Sequence, residues 1–178
     1  MTEKKAVFFC SASPDIDPKY NQAAREVVRA ACLSGYTIVS GGSFRGTMGA
    51  VCDTALACGA PCVGVLPRFM KGLEYPGMTR LDWTDTMAER KELMRAGTSM
   101  AVALPGGIGT IDELVETLVL RKLGQYDGRI LALDLDGFFA PLKALLDHFV
   151  RQGMLEPRDR ALIEFPATVA ELAACFEA

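Results

Sequence analysis

The sequence is poor in the residues that metal centres and nucleic-acid-binding surfaces need. Among its 178 residues it has a single histidine, His148, and no tract in which lysine and arginine cluster. The formal net charge at pH 7 is −3, and the isoelectric point is about 5.3. Because nucleic acids are bound by surfaces of concentrated positive charge, we expect no nucleic-acid partner.

The cysteines also lack the neighbours that a metal site requires. Cys58 and Cys62 have a spacing that suits half of such a site, but the only histidine lies far along the chain. We therefore interpret the six cysteines as buried small apolar residues and expect no metal ion. The sequence shows no secretory leader and no apolar run long enough to span a membrane. We expect reduced thiols, a cytoplasmic location and no membrane partner.

What the sequence has in quantity is apolar residues, which make up 50% of the chain and give a mean hydropathy of +0.20. A chain of this length and composition can bury a substantial core. We interpret residues 1–178 as one domain, because no linker, repeat or low-complexity segment divides them.

Short apolar runs that favour strands alternate with segments that favour helices. The predicted strands cover 6–10, 36–40, 61–67, 80–85, 99–104, 129–135 and 161–165. The predicted helices cover 18–34, 47–58, 86–96, 110–123 and 138–152, and a last helix is capped by Thr168 with Glu171. This alternation predicts an α/β fold, a doubly wound parallel sheet of about six to seven strands with helices on both faces.

Three loops leave the carboxyl ends of predicted strands: "SASPD" at 11–15, "GGSFRG" at 41–46 and "PGGIGT" at 105–110. In a doubly wound sheet, ligands bind at this edge, at the point where the strand order reverses. We therefore expect the three loops to converge on one crevice. The loop "RFMKGLEYPGM", between two of the predicted strands, is long enough to fold over it.

The loop "PGGIGT" and the helix after it have the features of an anion site. A helix N-terminus presents unpaired N–H groups and the positive end of the helix dipole, and glycines let a phosphate approach the backbone. The hydroxyl of Thr110 adds a donor. A second interpretation stays open, in which Thr110 and Glu113 form a capping box and Glu113 only closes the helix N-terminus.

Two common phosphate motifs are excluded. The spacing of Gly41 and Gly46 suits a P-loop, but Thr47 stands where that motif needs lysine. The turn after the first strand contains no glycine, so the chain lacks a dinucleotide fingerprint. We expect no hydride transfer to NAD.

The predicted helix 86–96 places two cations between two methionines on one face, at Met87, Arg90, Lys91 and Met94. One interpretation is a solvated charged surface. In the other, the helix borders the crevice, and Arg90 reaches an anion bound at 106–110.

Together these segments resemble the LOG (Lonely guy) family of phosphoribohydrolases, whose members have often carried the label "possible lysine decarboxylase". The family's Pro-Gly-Gly-x-Gly-Thr-x-x-Glu signature is matched by Pro105, Gly106, Gly107, Gly109, Thr110 and Glu113. Its Arg-Lys element is matched by Arg90 and Lys91, between Met87 and Met94, and its upstream glycine loop by Gly41, Gly42, Gly46, Met48 and Gly49. The order and spacing hold from about residue 6 to residue 155.

The resemblance implies a Rossmann-like fold, a homodimer and no cofactor. The implied reaction is hydrolysis of a nucleoside 5′-monophosphate, AMP or a cytokinin riboside monophosphate, to free base and ribose 5-phosphate. Arg90 and Glu113 would be the catalytic pair, with Arg90 serving either the phosphate or the departing base. The predicted substrate-binding residues are Ser13, Gly41, Gly42, Gly46, Met87, Arg90, Lys91, Gly106, Gly107, Gly109, Thr110, Asp112 and Glu113.

The chain departs from the family pattern at Ser43, Ala88 and Leu120, where the family usually has glycine, histidine and tryptophan. The first loop also departs, with Ser11-Ala12-Ser13 where the family usually has glycine then serines. The departures at Ala12, Ser43 and Ala88 leave a second function open: carriage of a phosphate-bearing nucleotide or pterin without turnover, as in molybdenum-cofactor carrier proteins, which resemble this fold. Retention of Arg90 and Glu113 favours the hydrolase. No pyridoxal-phosphate site of the kind a decarboxylase uses is visible, since Lys91 is the only lysine near the motifs.

The segment "LVETLVLRKL" at 114–123 is apolar on more than one side of its predicted helix. We expect Leu114, Val115 and Leu118 to face the sheet. Val119 and Leu120 would then face a partner subunit, which agrees with the homodimer that the resemblance implies.

Overall fold

Seven parallel strands form one sheet within residues 4–177, the part of the chain that the computed structural model describes. The strands are β1 (Lys5–Phe9), β2 (Thr37–Ser40), β3 (Cys62–Pro67), β4 (Arg80–Thr84), β5 (Met100–Ala103), β6 (Arg129–Ala132) and β7 (Ile163–Glu164). The predicted parallel sheet of six to seven strands is confirmed. Of the predicted domain 1–178, residues 1–3 and 178 lie outside the described residues.

The order of strands across the sheet is β4-β3-β2-β1-β5-β6-β7. The chain moves outward from β1 to β4, crosses back, and continues from β5 to β7 on the other side of β1. Val7 in β1 pairs with Val39 of β2 on one side and with Ala101 of β5 on the other. The strand order therefore reverses between β1 and β5, and the carboxyl ends of these strands form the edge where such sheets bind ligands.

Helices cover both faces of this Rossmann-like sheet, as predicted. Within residues 4–177 the α-helices are α1 (Pro18–Leu33), α2 (Gly46–Ala57), α3 (Met87–Arg95), α4 (Ile108–Lys122), α5 (Ala140–Arg151), α6 (Pro157–Arg160) and α7 (Val169–Ala174). Successive strand residues point to opposite faces. Phe8 therefore packs in a core with α1, α2 and α7, while Phe9 packs in a second core with α4 and α5.

Strand β6 and helix α5 are both shorter than predicted. The strand expected at 129–135 ends at Ala132, and the helix expected at 138–152 begins at Ala140. The carboxylate of Asp134 accepts hydrogen bonds from the backbone N–H of Phe139 at 2.7 Å and from Lys143 Nζ at 2.9 Å, so the chain turns here. The strand expected at 161–165 is reduced to Ile163–Glu164, and the four-residue helix α6 was not predicted.

The expectation that Val115 faces the sheet is wrong. Leu114 and Leu118 are buried against the sheet, as predicted, but Val115 is 39% exposed. Each helical residue is rotated by about 100° from the one before it, which carries Val115 away from the buried stripe. It lies instead on the outward face with Val119, which is 47% exposed, while Leu120 is half-buried.

Candidate active site

A cavity of about 430 Å³ opens at the carboxyl ends of the central strands. Its lining comes from 11–13 after β1, from 41–48 after β2 and from 107–113 at the start of α4, with further contributions from α3 and the loop after β3. The three loops predicted to share a crevice therefore do so. The cavity lies at the reversal of strand order, where the topology places a ligand site.

Arg90 and Glu113 meet in the lining of this cavity. The Nη1 atom of Arg90, on α3, donates to Oε1 of Glu113, on α4, at 3.0 Å. Arg90 also donates from Nε to the carbonyl oxygen of Val65 at 3.0 Å and from Nη2 to that of Gly41 at 3.3 Å. The guanidinium is thus fixed by three acceptors, and it holds the Glu113 carboxylate in one place.

Both members of the pair are taken out of bulk water: Arg90 is 6% and Glu113 is 7% exposed. Burial, which disfavours the charged form, raises the pKa of Glu113 from 4.5 to about 7, although the adjacent Arg90 acts in the opposite direction. The effect of desolvation on the pKa of Glu113 is therefore larger than the opposite effect of the ion pair with Arg90. A carboxyl group whose pKa lies near neutrality can both hold and accept a proton under ordinary conditions.

The start of α4 resolves the two interpretations of "PGGIGT". The helix begins at Ile108, two residues earlier than predicted, with Gly107 as its N-cap and no side chain capping it. Thr110 and Glu113 therefore lie inside the helix, and the capping-box interpretation is wrong. The first N–H groups of α4 face no capping side chain, which is the arrangement that binds anions at helix N-termini.

Two glycines allow the close packing that builds the site. A Cβ atom at Gly41 would overlap Nη2 of Arg90 and lie 2.6 Å from Sδ of Met48. A Cβ atom at Gly106 would overlap the hydroxyl of Thr110 and lie 3.1 Å from the backbone nitrogen of Ser11. Glycine at 41 thus leaves space for the Arg90 guanidinium, and glycine at 106 leaves space for the Thr110 hydroxyl.

The predicted site residues divide into those that line the cavity and those that do not. The lining includes Ser13, Gly41, Met87, Arg90, Gly107, Gly109, Thr110 and Glu113. The lining does not include Gly42, Gly46, Lys91, Gly106 and Asp112. Lys91 instead makes ion pairs of 3.0 Å with Asp112 and with Glu116. The substrate-binding roles of all these residues remain predictions.

Several lining residues were missed by the sequence interpretation. Arg45 lies within the 41–46 loop, just before its last glycine. Met48, matched to the family's glycine loop but not predicted to bind substrate, follows that loop, and Met70 and Leu73 come from the loop after β3. That loop is held to the 41–46 loop by hydrogen bonds from Tyr75 N to Gly42 O at 2.8 Å and from Phe44 N to Leu73 O at 3.1 Å. The sequence contained a signal for Met70 and Leu73, because both are apolar residues of the loop "RFMKGLEYPGM". Apolar residues in a loop beside a site indicate that the loop forms part of the pocket wall.

The six cysteines are all free, and Cys32 and Cys175 are half-buried. Cys10, Cys52 and Cys62 are buried, as interpreted, whereas Cys58 is exposed because it ends α2 at the surface. Over residues 4–177, no group of three histidine, cysteine or acidic residues is placed to hold a metal ion. Over the same residues, no helix has the length and apolar content that crossing a membrane requires.

The fold and the site together define a Rossmann-like α/β protein with a glycine-rich pocket at the strand reversal. The chain belongs to the LOG family, since the family model described as "Possible lysine decarboxylase" matches residues 48–176. It is 32% identical to the cytokinin riboside 5′-monophosphate phosphoribohydrolase of Rhodococcoides fascians, over 91% of this chain and 83% of that protein. It is 37% identical to the protein of that name from Mycobacterium tuberculosis, over 84% of this chain and 80% of the relative.

Solved structures with the same architecture include proteins that carry or bind the molybdenum cofactor. The molybdenum cofactor carrier protein of Chlamydomonas reinhardtii superimposes with a TM-score of 0.76, covering 98% of this chain and 96% of that one, at 18% identity. The molybdenum cofactor binding protein of Rippkaea orientalis gives a TM-score of 0.75 at 14% identity, covering 99% and 97% of the two chains. At these identities the similarity concerns the fold.

Proposed function

We propose that this chain hydrolyses the N-glycosidic bond of a nucleoside 5′-monophosphate, releasing the free base and ribose 5-phosphate. The observation that carries the proposal is the buried pair of Glu113 and Arg90, 3.0 Å apart in the lining of a cavity that also contains an uncapped helix N-terminus. The names of the relatives from R. fascians and M. tuberculosis support the same reaction class.

Glu113 has the chemistry that this hydrolysis needs. Cleavage of an N-glycosidic bond builds positive charge on the ribose ring, as in other glycoside cleavages with oxocarbenium-like transition states. An ionised carboxylate beside the anomeric carbon stabilises that charge, and it accepts a proton from the attacking water. The water oxygen forms the new bond to C1′ as the bond from C1′ to the base nitrogen breaks. Glu113 passes the proton it accepted from the water to the departing base, which restores the carboxylate.

Arg90 and the start of α4 take the supporting roles. Arg90 fixes the orientation of Glu113 through a donor set that also engages Val65 and Gly41. The N-terminus of α4, with the Thr110 hydroxyl beside it, receives the phosphate. The apolar part of the lining, which includes Met48, Met70 and Leu73, accommodates the base.

Product analysis tests the proposal. The chain is incubated with a panel of nucleoside 5′-monophosphates and with the matching nucleosides, and released base is separated by chromatography. We expect base from one or more monophosphates, much less from the nucleosides, and release from the monophosphates slowed by about 100-fold or more with Glu113→Gln. Absence of release from every monophosphate, combined with thermal stabilisation by a nucleotide, would instead favour the binding or carriage function.

A further inference from the structure

Arg45 is an arginine in the cavity lining whose side chain has no ion pair or hydrogen bond among the described residues. The other arginine of the lining, Arg90, is already paired with Glu113. Arg45 immediately precedes α2, is exposed, and has its backbone N–H held by the hydroxyl of Ser43 at 3.2 Å. Its main chain is thus fixed, while its guanidinium is available to a ligand.

The charges of the lining are insufficient for a phosphate monoester unless Arg45 contributes. The monoester carries a charge of about −1.5 to −2 at pH 7. The N-terminus of α4 supplies the equivalent of about +0.5. Arg90 and Glu113 cancel each other when Glu113 is ionised, as the proposed chemistry requires. Arg45 is the remaining cation of the lining.

The backbone places Arg45 close to the α4 N-terminus. Gly46, the next residue, is packed so tightly on the 11–13 segment that a Cβ atom would lie 2.7 Å from the carbonyl carbon of Ala12. On its other side the same segment contacts the loop before α4, where a Cβ at Gly106 would lie 3.1 Å from the nitrogen of Ser11. Arg45 and the start of α4 therefore border one cavity across a single short segment.

Acidic residues near Arg45 do not compete for it. The first turn of α2 contains none. Further along this helix, Asp53 is already engaged by Arg25 at 3.3 Å and by the hydroxyl of Tyr75 at 2.5 Å. A guanidinium with no internal partner, at the mouth of a pocket that must hold a dianion, is suited to bind that anion through two parallel hydrogen bonds.

We propose that Arg45 binds the 5′-phosphate and is the residue that makes the pocket select phosphorylated over unphosphorylated nucleosides. This inference rests on the proposed function, since it assigns the phosphate-recognising side chain of that same site. It also separates two tasks within the lining: Arg45 recognises the phosphate, and Arg90 holds the catalytic carboxylate.

Kinetics and binding of Arg45→Ala, Arg45→Lys and Arg29→Ala test the proposal. Arg29 is a matched control, because it is exposed on α1, lies outside the cavity lining and likewise has no partner among the described residues. We expect Arg45→Ala to raise KM for the monophosphate by about 10- to 100-fold, as for loss of a charge-assisted hydrogen bond, with kcat nearly unchanged. Arg45→Lys should recover part of the loss, and Arg29→Ala should behave as wild type.

Calorimetric titration with ribose 5-phosphate, which the enzyme cannot hydrolyse further, separates this proposal from the proposed function. Weaker binding to Arg45→Ala than to wild type supports the phosphate role even if no base release is ever detected. Base release by wild type together with unchanged KM and unchanged ribose 5-phosphate affinity in Arg45→Ala would overturn the Arg45 proposal and leave the hydrolase standing. Failure of wild type to bind ribose 5-phosphate would also overturn it.

Discussion

Glu113 and Arg90 form an ion pair of 3.0 Å although 23 residues separate them along the chain. The pair exists because α3 and α4 lie on the same face of the sheet, with Met94 and Leu114 in one core. That packing removes both charged groups from water, and the carbonyls of Val65 and Gly41 satisfy further donors of the arginine. The fold therefore maintains a buried charge pair in which one member, the carboxyl group, has its pKa moved to about 7.

The first prediction concerns loss of the carboxylate. Glu113→Gln keeps the size of the side chain but cannot accept a proton or offset developing positive charge. We expect kcat to fall by about 100- to 10,000-fold, the range for a positioned acid–base group, with ribose 5-phosphate affinity largely kept. Chromatographic assay of base release together with calorimetry measures both. Wild-type kcat in this variant would remove Glu113 from the mechanism.

The sequence predicted the fold, and the presence of Arg90 and Glu113 at the crevice, more completely than it predicted the pocket wall. Alternating apolar runs define strands and helices because burial of both sheet faces demands that pattern. Arg90 and Glu113 belong to motifs, so family resemblance found them. The place of Arg45 in the lining, with no side-chain partner among the described residues, is visible only in three dimensions. Helical periodicity likewise cannot show that Lys91 pairs with Asp112 and Glu116.

The second prediction is the pH dependence of activity. The proposed mechanism uses ionised Glu113, whose pKa in the free protein is about 7. The value of kcat/KM, which reports the ionisation of the free enzyme, should therefore rise with pH and level off above about pH 7. A profile that falls through this range would mean that the protonated carboxyl is the active form, acting as an acid toward the leaving base.

The third prediction links the same pKa to stability. Between pH 4.5 and about 7 the unfolded chain has released the Glu113 proton while the folded chain retains it, so the free energy of unfolding declines as pH rises. The rise in the pKa of Glu113 from 4.5 to about 7 corresponds to a decline of about 3 kcal/mol in the free energy of unfolding. Urea denaturation should show that Glu113→Gln is more stable relative to wild type at pH 8 than at pH 5. An identical difference at both pH values would contradict the raised pKa.

The fourth prediction concerns removal of the arginine. Arg90→Ala leaves Glu113 buried with no cation beside it. When the carboxylate is ionised, this should lower the free energy of unfolding by about 3–5 kcal/mol. The loss should be larger at pH 8 than at pH 5, because protonation of Glu113 relieves it. Arg95→Ala is the matched control, since Arg95 is equally buried but its partner Glu116 has a side chain 33% exposed. The loss of stability caused by Arg95→Ala should differ less between pH 5 and pH 8 in the same urea experiment.

The fifth prediction concerns assembly. Four apolar side chains form a stripe along the outward side of α4 and are exposed by 39 to 87%: Ile108, Val115, Val119 and Leu123. Exposed apolar stripes of this kind mark association surfaces. We expect wild type to be a homodimer by light scattering and Val119→Glu to be a monomer, because a buried carboxylate at the interface has no partner there.

Leu33→Glu provides the control for that prediction, since Leu33 is 82% exposed at the end of α1 and belongs to a different surface. It introduces the same charge and should leave the dimer intact. A concentration-independent monomer for wild type would contradict the assembly prediction outright. A dimer that survives Val119→Glu but dissociates with Leu33→Glu would place the interface on α1, and the exposed stripe of α4 would then need another explanation.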